Sequence, residues 1–341
     1  MPSTISIRPN RITITPRREP QSAYSLYDKA IEKYRKSKNV EQYTENFKAE
    51  KNAFKISRAT KKKIFDSINF LYALSKPKTI EMKNGKKIYN HRATFLTLTL
   101  PSAQKHTDVF LKKECLNQLL VELRKHYNFQ NYVWKAELQK NENIHFHIVT
   151  DVYLDFQAVR RRWNRILNKY DYVKNYQEKM QKLSLSEYHA MRNKTGKTDF
   201  STSAGAFARG RSSNWSNPNS IDIRSAHSSK DLGAYLAKYI AKDLESEEMN
   251  EQTTARGKAF GRIWSRSQSL CLFDSLGSAV AEEWEEVLQF CKNATQTVKT
   301  VIGDYYKAYY FNLDNLPKFI SRQIYSFFYG MARFRGYPLL H

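Results

Sequence analysis

Two histidines are separated by a single residue in the segment Ile144-His145-Phe146-His147-Ile148. Side chains of a β-strand alternate between its two faces, so His145 and His147 are predicted to share one face while the apolar residues pack on the other. Neutral imidazoles are common metal ligands, and two of them on one face supply part of a metal site. Two unrelated surface histidines would give the same short pattern. The neighbouring strand is needed to distinguish a metal site from this alternative.

The preceding segment, residues 131–139, supplies a third candidate ligand. Its apolar residues are even-numbered: Trp134, Ala136 and Leu138. If the two segments pair as a hairpin, their apolar residues share the core face, which places Glu137 on the face of His145 and His147. One carboxylate with two imidazoles suits Mg²⁺ or Mn²⁺, which bind phosphate oxygens and keep coordination positions open. An exposed strand carboxylate is the alternative interpretation of Glu137.

A possible nucleophile lies in the segment Asp231–Asp243, which reads DLGAYLAKYIAKD. On a helix of about 100° per residue, one arc of about 100° holds four polar residues: Tyr235, Lys238, Tyr239 and Lys242. The opposite face is aliphatic and can pack on a sheet. A phenol is a poor nucleophile at its usual pKa, but a metal ion at the phosphodiester and a nearby ammonium make its attack feasible. A basic amphipathic helix with two exposed tyrosines is the alternative.

Composition indicates a polyanionic partner. The chain has 57 Lys and Arg against 33 Asp and Glu, a net charge of +24, together with 22 Tyr, 19 Phe and 5 Trp. Single-stranded nucleic acid needs both features, because phosphates attract cations and unstacked bases stack on aromatic rings. Further candidates for DNA contacts are Lys61, Lys62, Lys63, Arg161, Arg162, Arg209 and Arg211. The lysine run is also typical of a merely solvated helix face.

Hydrophobic periodicity predicts the order of elements that position these residues. The predicted elements are a strand at 92–101, a helix at 108–127, strands at 131–139 and 144–150, a helix at 155–169, a strand at 220–225 and a helix at 230–243. This order indicates an α+β fold. Residues 193–220 are predicted to be a long loop, and the first 20 residues an extended, mobile arm.

Three regions are predicted along the chain. Residues 1–88 form a basic, largely helical N-terminal module with the mobile arm, residues 89–275 carry the candidate site, and residues 276–341 form a helical C-terminal region. The first 92 residues contain 22 basic and 8 acidic residues, so we expect this module to contact phosphates.

Three motifs in order carry a family resemblance. FLTLTLP at 95–101, HFH at 145–147 and YLAKYIAK at 235–242 resemble the motifs of the HUH endonucleases. More narrowly, the paired tyrosines resemble those of the rolling-circle replication initiators of microvirus-like single-stranded DNA phages. The resemblance covers about residues 90–270, and it implies a central antiparallel sheet of the HUH or RRM-like type, flanked by helices, with the His-x-His strand in the middle.

The resemblance also implies a mechanism. Its metal ligands would be His145, His147 and an acidic partner, for which we take Glu137. Tyr235 and Tyr239 would alternate as nucleophiles on single-stranded origin DNA, leaving a 5′-phosphotyrosine and a 3′-hydroxyl for the host DNA polymerase. Lys242 and Lys238 would position the phosphate or offset its charge.

Several classes of function are disfavoured. Three dispersed cysteines and the lack of a long apolar run predict a cytoplasmic protein that neither spans a membrane nor is secreted, in a bacterial host if phage-encoded. Gly196-Lys197-Thr198 lacks the upstream glycine of a phosphate-binding loop, so a host helicase is expected to unwind the duplex. The alternatives are a relaxase or transposase of the same superfamily, and a non-enzymatic, basic nucleic-acid-binding protein or repressor.

Overall fold

The structure is a computed structural model, and it describes residues 3–16, 58–82, 84–128, 131–139, 141–194, 196–226, 260–271, 278–279, 284–303 and 306–334. The predicted nucleophile segment, with Tyr235, Lys238, Tyr239 and Lys242, lies outside these described residues.

The described residues form both strands and helices. They are β1 (Ser3–Arg8), β2 (Arg11–Pro16), α1 (Arg58–Leu74), β3 (Lys78–Glu81), β4 (Lys87–His91), β5 (Ala93–Leu98), α2 (Asp108–Phe110), a π-helical stretch (Leu111–Leu116), α3 (Asn117–Tyr127), β6 (Tyr132–Leu138), β7 (Ile144–Thr150), α4 (Phe156–Asn168), α5 (Tyr172–Gln181), α6 (Leu185–Arg192), α7 (Phe200–Ser212), β8 (Ile221–Ala226), β9 (Trp264–Arg266), α8 (Gln268–Cys271), β10 (Ser278–Ala279), α9 (Glu285–Asn293), β11 (Val298–Gly303), β12 (Tyr306–Phe311), a 3₁₀ helix (Leu313–Asn315) and α10 (Lys318–Phe334).

These elements divide into two compact units. The first contains β1, β2, α1 and the elements from α8 onward, and the second contains the elements from β3 to β9. The second unit covers most of the segment 89–275 that the sequence assigns to the candidate site.

A five-stranded antiparallel sheet organises the second unit. Its strand order is β8-β5-β7-β6-β9, so β7 with its two histidines is the central strand. Strands β5, β6, β7 and β8 and helix α4 lie where the hydrophobic periodicity predicts them. The α+β prediction is therefore confirmed, with antiparallel sheets and helices.

One face of this sheet is apolar and packs on a helix. Phe146 of β7 and Leu96 of β5 are fully buried, and the ring of Phe146 meets that of Trp163 of α4 edge to face at 6.4 Å. The Trp163 Nε1 donates a hydrogen bond to the Thr99 carbonyl, which ties α4 to the chain leaving β5. Asp155 caps α4 by accepting from the Ala158 N–H at 2.7 Å. Since side chains alternate, the odd-numbered residues of β7 face the other side of the sheet.

A buried polar pair closes the end of the β6–β7 hairpin away from its turn. Asn131, just before β6, donates through Nδ2 to Oδ2 of Asp151, just after β7, at 2.7 Å. Burial raises the pKa of Asp151 to about 6, although the hydrogen bond from Asn131 opposes this effect. The folded state therefore binds the Asp151 proton more tightly than the unfolded chain does.

We expect Asp151→Asn to gain stability relative to the wild type as the pH rises. Because the folded pKa of Asp151 lies above its unfolded value of 3.8, the wild type loses the stability of the protonated form as pH rises towards 6. A shift of about two units corresponds to up to about 3 kcal/mol. Urea unfolding of both proteins at several pH values between about 4 and 7 measures this gain. A stability difference that stays constant over this range would contradict the prediction.

The prediction of a long loop at residues 193–220 is wrong, because the middle of this segment is helix α7. Asp199 caps this helix by accepting from the Thr202 N–H, and Phe207 packs on Trp215 with ring centroids 5.8 Å apart. A Cβ at Gly210 would lie 2.1 Å from Cζ3 of Trp215, so the indole occupies space that only glycine leaves open. A few aromatic contacts and a cap thus stabilise a segment with little periodic apolar content.

The first unit corrects two further predictions. Residues 3–16 are not an extended arm but the hairpin β1–β2, in which Ile5, Ile7 and Ile12 are fully buried. The C-terminal region is helical only in part, since β11 and β12 form a second hairpin and β12 pairs with β2. Pro9 and Pro16 stand at the turn and at a strand end, where proline is tolerated.

The run Lys61–Lys63 lies in α1 of the first unit. Phe70 of this helix meets Phe328 of α10 edge to face at 5.4 Å, and Asp66 accepts a buried hydrogen bond from Arg11 of β2. Lys62 and Lys63 are exposed. Their predicted contact with DNA stays a prediction.

Candidate metal centre

The register of the central hairpin brings the three predicted ligands together. Glu137 lies directly opposite His145, and Lys135 lies opposite His147. Because β6 and β7 are joined by a short turn and share an apolar face, the sequence allows this parity and no other. The geometric part of the prediction is therefore correct, whereas binding of a metal stays a prediction.

The ligand atoms are close enough for one ion. One ligand atom each from Glu137, His145 and His147 can be chosen so that all lie within 4.8 Å of one another. Atoms bound to one ion at about 2.0–2.3 Å lie at most about 4.6 Å apart. Small side-chain rotations therefore suffice to bring all three onto one ion.

His147 is held between two neighbouring strands. Its Nε2 lies 2.8 Å from Oε1 of Glu137, and its Nδ1 lies 3.2 Å from Oγ1 of Thr97 on β5. The ring is buried, with 3% of its area exposed. A partner on the second ring nitrogen fixes the orientation of a ligating histidine, and Thr97 is placed to act in this way.

His145 offers a lone pair to a cation. Burial and then the charge of His147 lower the pKa of His145 to about 4, against a smaller opposite effect of Glu137. The ring is therefore neutral near pH 7 and able to ligate. Its Nδ1 is buried and has no hydrogen-bond partner among the residues that the structure describes. A buried nitrogen of this kind fits the donor set of a metal site.

Glu137 supplies the negative charge. Burial acts to raise the pKa of Glu137, but the hydrogen bond from His147 and the charges of His147 and Lys135 outweigh it, so the pKa is lowered. An ionised carboxylate beside two imidazoles is a suitable site for a divalent cation.

Lys135 is a functional candidate that the sequence analysis missed. Its side chain is 9% exposed, and its Nζ lies 4.0 Å from Oε2 of Glu137. Lys135 has the same parity as Glu137, so the alternation that selected the carboxylate could have selected the lysine too. A buried ammonium at this place can offset the charge of a phosphate.

The predicted arginines do not extend this face. Arg161 and Arg162 lie on α4, which packs on the opposite, apolar face of the sheet. Arg209 and Arg211 are exposed near the end of α7, where Arg211 lies over the ring of Phe207 at 5.3 Å. Their contact with DNA stays a prediction.

Comparison with known proteins supports a role in replication. Residues 93–244, somewhat less than half of the chain, match the model of the family described as replication-associated protein ORF2/G2P. The matched range contains β5, the hairpin with its three candidate ligands, and the segment with Tyr235 and Tyr239. Among curated proteins and among solved structures, none matches the chain.

In the part of the chain that the structure describes, no helix combines the length and the apolar character that crossing a bilayer requires.

Proposed function

We propose that this protein starts rolling-circle replication by cutting single-stranded origin DNA and rejoining it through tyrosine. The observation that carries the proposal is the cluster of Glu137, His145 and His147 on one face of the central hairpin. The match to a replication-associated family over residues 93–244 supports it, as do the three ordered sequence motifs.

The ligand cluster defines the metal part of the proposal. Glu137, His145 and His147 would hold Mg²⁺ or Mn²⁺, and the bound ion would polarise the scissile phosphodiester and withdraw charge from it. Thr97 keeps the His147 ring in its orientation. Lys135 would stabilise a phosphate oxygen near the cluster.

The segment 231–243 supplies the nucleophile in this proposal. The phenol of Tyr235 or Tyr239 gives up its proton to solvent, and its oxygen attacks phosphorus. The new bond joins the phenolic oxygen to the 5′ phosphate, the bond from phosphorus to the 3′ oxygen breaks, and the 3′ oxygen takes up a proton from solvent. The phosphodiester energy is kept in the phosphotyrosine, so a 3′-hydroxyl can reverse the step without ATP. Lys242 and Lys238 would position the phosphate.

An HUH-type fold, cytoplasmic location and cooperation with a host helicase and DNA polymerase belong to the same proposal. A relaxase or transposase would share the chemistry but act in another process. A repressor would need neither the tyrosines nor the ligand cluster, so covalent chemistry separates it from the other candidates.

A covalent-adduct assay tests the proposal. The probe is a pool of random single-stranded oligodeoxynucleotides with a fluorescent 3′ end, incubated with the protein and Mn²⁺ and run on a denaturing protein gel. The 3′ fragment carries the new phosphotyrosine, so we expect fluorescence at the mass of the protein, lost with EDTA. If the protein binds the pool but no fluorescence survives denaturation, the enzymatic proposal is wrong.

A further inference from the structure

A cavity lies within the second unit, between residues 101–105 after β5 and helices α5 and α6. Its volume is about 640 Å³. This volume lies within the range of about 300–1,000 Å³ typical of small-molecule sites. It is separate from the cluster of Glu137, His145 and His147, none of which lines it.

The cavity carries positive charge without a counter-charge. Lys105, Lys179 and Arg192 line it, and none of the described residues around it is acidic. Among the described residues, none of these three cations forms an ion pair. Three like charges at one cavity repel each other, so an anion with several oxygens would stabilise them.

The rest of the lining is aromatic and apolar. Tyr176 is half-buried, and Arg192 lies over the ring of Tyr188 at 5.7 Å. Tyr188 is in turn fixed against Trp215, with ring centroids 5.2 Å apart. Met180 and Met191 add adaptable surface beside the rings. Flat rings beside cations suit a base and its phosphate.

The cavity wall is hydrogen-bonded to the strand that carries the histidines. Asn143, two residues before His145, donates through Nδ2 to the Ser102 carbonyl at 2.9 Å and accepts from the Gln104 N–H at 2.9 Å. The Ile144 N–H donates to Oε1 of Gln104 at 2.7 Å. Two residues of a strand span about 7 Å. These hydrogen bonds fix one wall of the cavity to the start of the strand that carries His145 and His147.

We propose that this cavity binds one nucleotide of single-stranded DNA that flanks the scissile phosphate. The phosphate lies against Lys105, Lys179 and Arg192, and the base lies against Tyr176. This proposal rests on the proposed function, which identifies the bound nucleotide as part of a DNA strand. A free nucleotide shares the same chemistry, so the experiment has to separate the two sources.

The experiment measures binding of the full chain in EDTA, where no cutting is expected, by fluorescence anisotropy. The probes are an oligothymidylate of about 20 nucleotides and an abasic strand of the same length. We expect Lys105→Ala/Lys179→Ala to weaken binding of both strands about tenfold and to reduce the salt slope by about 0.7, for the one phosphate that the cavity holds. The matched control is Lys174→Ala/Lys182→Ala, which removes two exposed lysines of the same region outside the cavity and should bind like the wild type.

A second pair of variants tests the base. Tyr176→Leu should weaken binding of oligothymidylate about tenfold but leave binding of the abasic strand unchanged, because loss of stacking costs about 1–3 kcal/mol per base. Tyr176→Phe keeps the ring and should bind like the wild type. Equal losses on both strands would overturn the contact between Tyr176 and a base.

Two other results would overturn the proposal as a whole. One is equal binding by the two double-lysine variants. The other is displacement of the oligothymidylate from the wild type by millimolar thymidine triphosphate, which would assign the cavity to a free nucleotide. Binding is measured without metal. If the adduct assay fails but the binding results are those expected above, only the proposed nicking activity is overturned.

Discussion

Replacing His145 or His147 with alanine is expected to reduce DNA cutting at least about a thousandfold, which corresponds to about 4 kcal/mol of transition-state stabilisation. Each variant removes one of three ligands, and the remaining pair should hold the cation too weakly to polarise the phosphate. DNA binding should change less than threefold, because His145 is neutral near pH 7 and phosphate affinity comes mainly from Lys and Arg. Adduct yield per unit time and anisotropy measure the two effects.

The matched control for the histidines is His126→Ala. His126 is exposed near the end of α3 and belongs to neither the ligand cluster nor the cavity. It should keep both cutting and binding. Cutting at the wild-type rate by both His145→Ala and His147→Ala would rule out the assigned ligands.

The two tyrosines give the second large effect. Residues four apart on a helix lie about 6 Å apart along its axis, so either phenol could reach the same phosphate after a small adjustment. One phosphotyrosine must persist while a second origin is cut, so a full cycle needs both. We expect Tyr235→Phe and Tyr239→Phe each to keep some adduct formation but to lose coupled cutting and joining, and the double variant to form no adduct.

Coupled joining is measured by transfer of a labelled strand onto a second oligonucleotide. Tyr89→Phe, which changes an exposed ring on β4, is the control and should retain joining. If Tyr239→Phe alone removes every adduct while Tyr235→Phe is silent, the protein works with a single nucleophile, and the alternating mechanism is wrong.

The candidate ligands could be predicted because the information is local. In the hairpin β6–β7, apolar residues of one parity fix the face of Glu137, His145 and His147, and a one-residue slip would turn all three towards the apolar face. Lys135 has the same parity and lies on the same face. The sequence analysis missed it because a single lysine on a strand forms no recognisable motif.

The errors arise where the stabilising contacts are distant in sequence or few. Strand β2 pairs with β12, almost 300 residues later, so no local pattern of residues 1–20 distinguishes a buried hairpin from an extended arm. Helix α7 depends on the Asp199 cap and on Trp215 against Gly210 rather than on an apolar stripe. The cavity was missed because Lys105, Lys179 and Arg192 come from three separate segments.

Mapping the covalent adduct tests the central claim most directly. The protein is allowed to cut DNA with Mn²⁺, the attached strand is trimmed with a nuclease, and tryptic peptides are sequenced by mass spectrometry. The account predicts a nucleotide on Tyr235 or Tyr239, in a peptide within residues 231–242, and no such peptide from Glu137→Gln. A nucleotide on another residue, or cut strands that end in a free 5′ phosphate without any adduct, would contradict it.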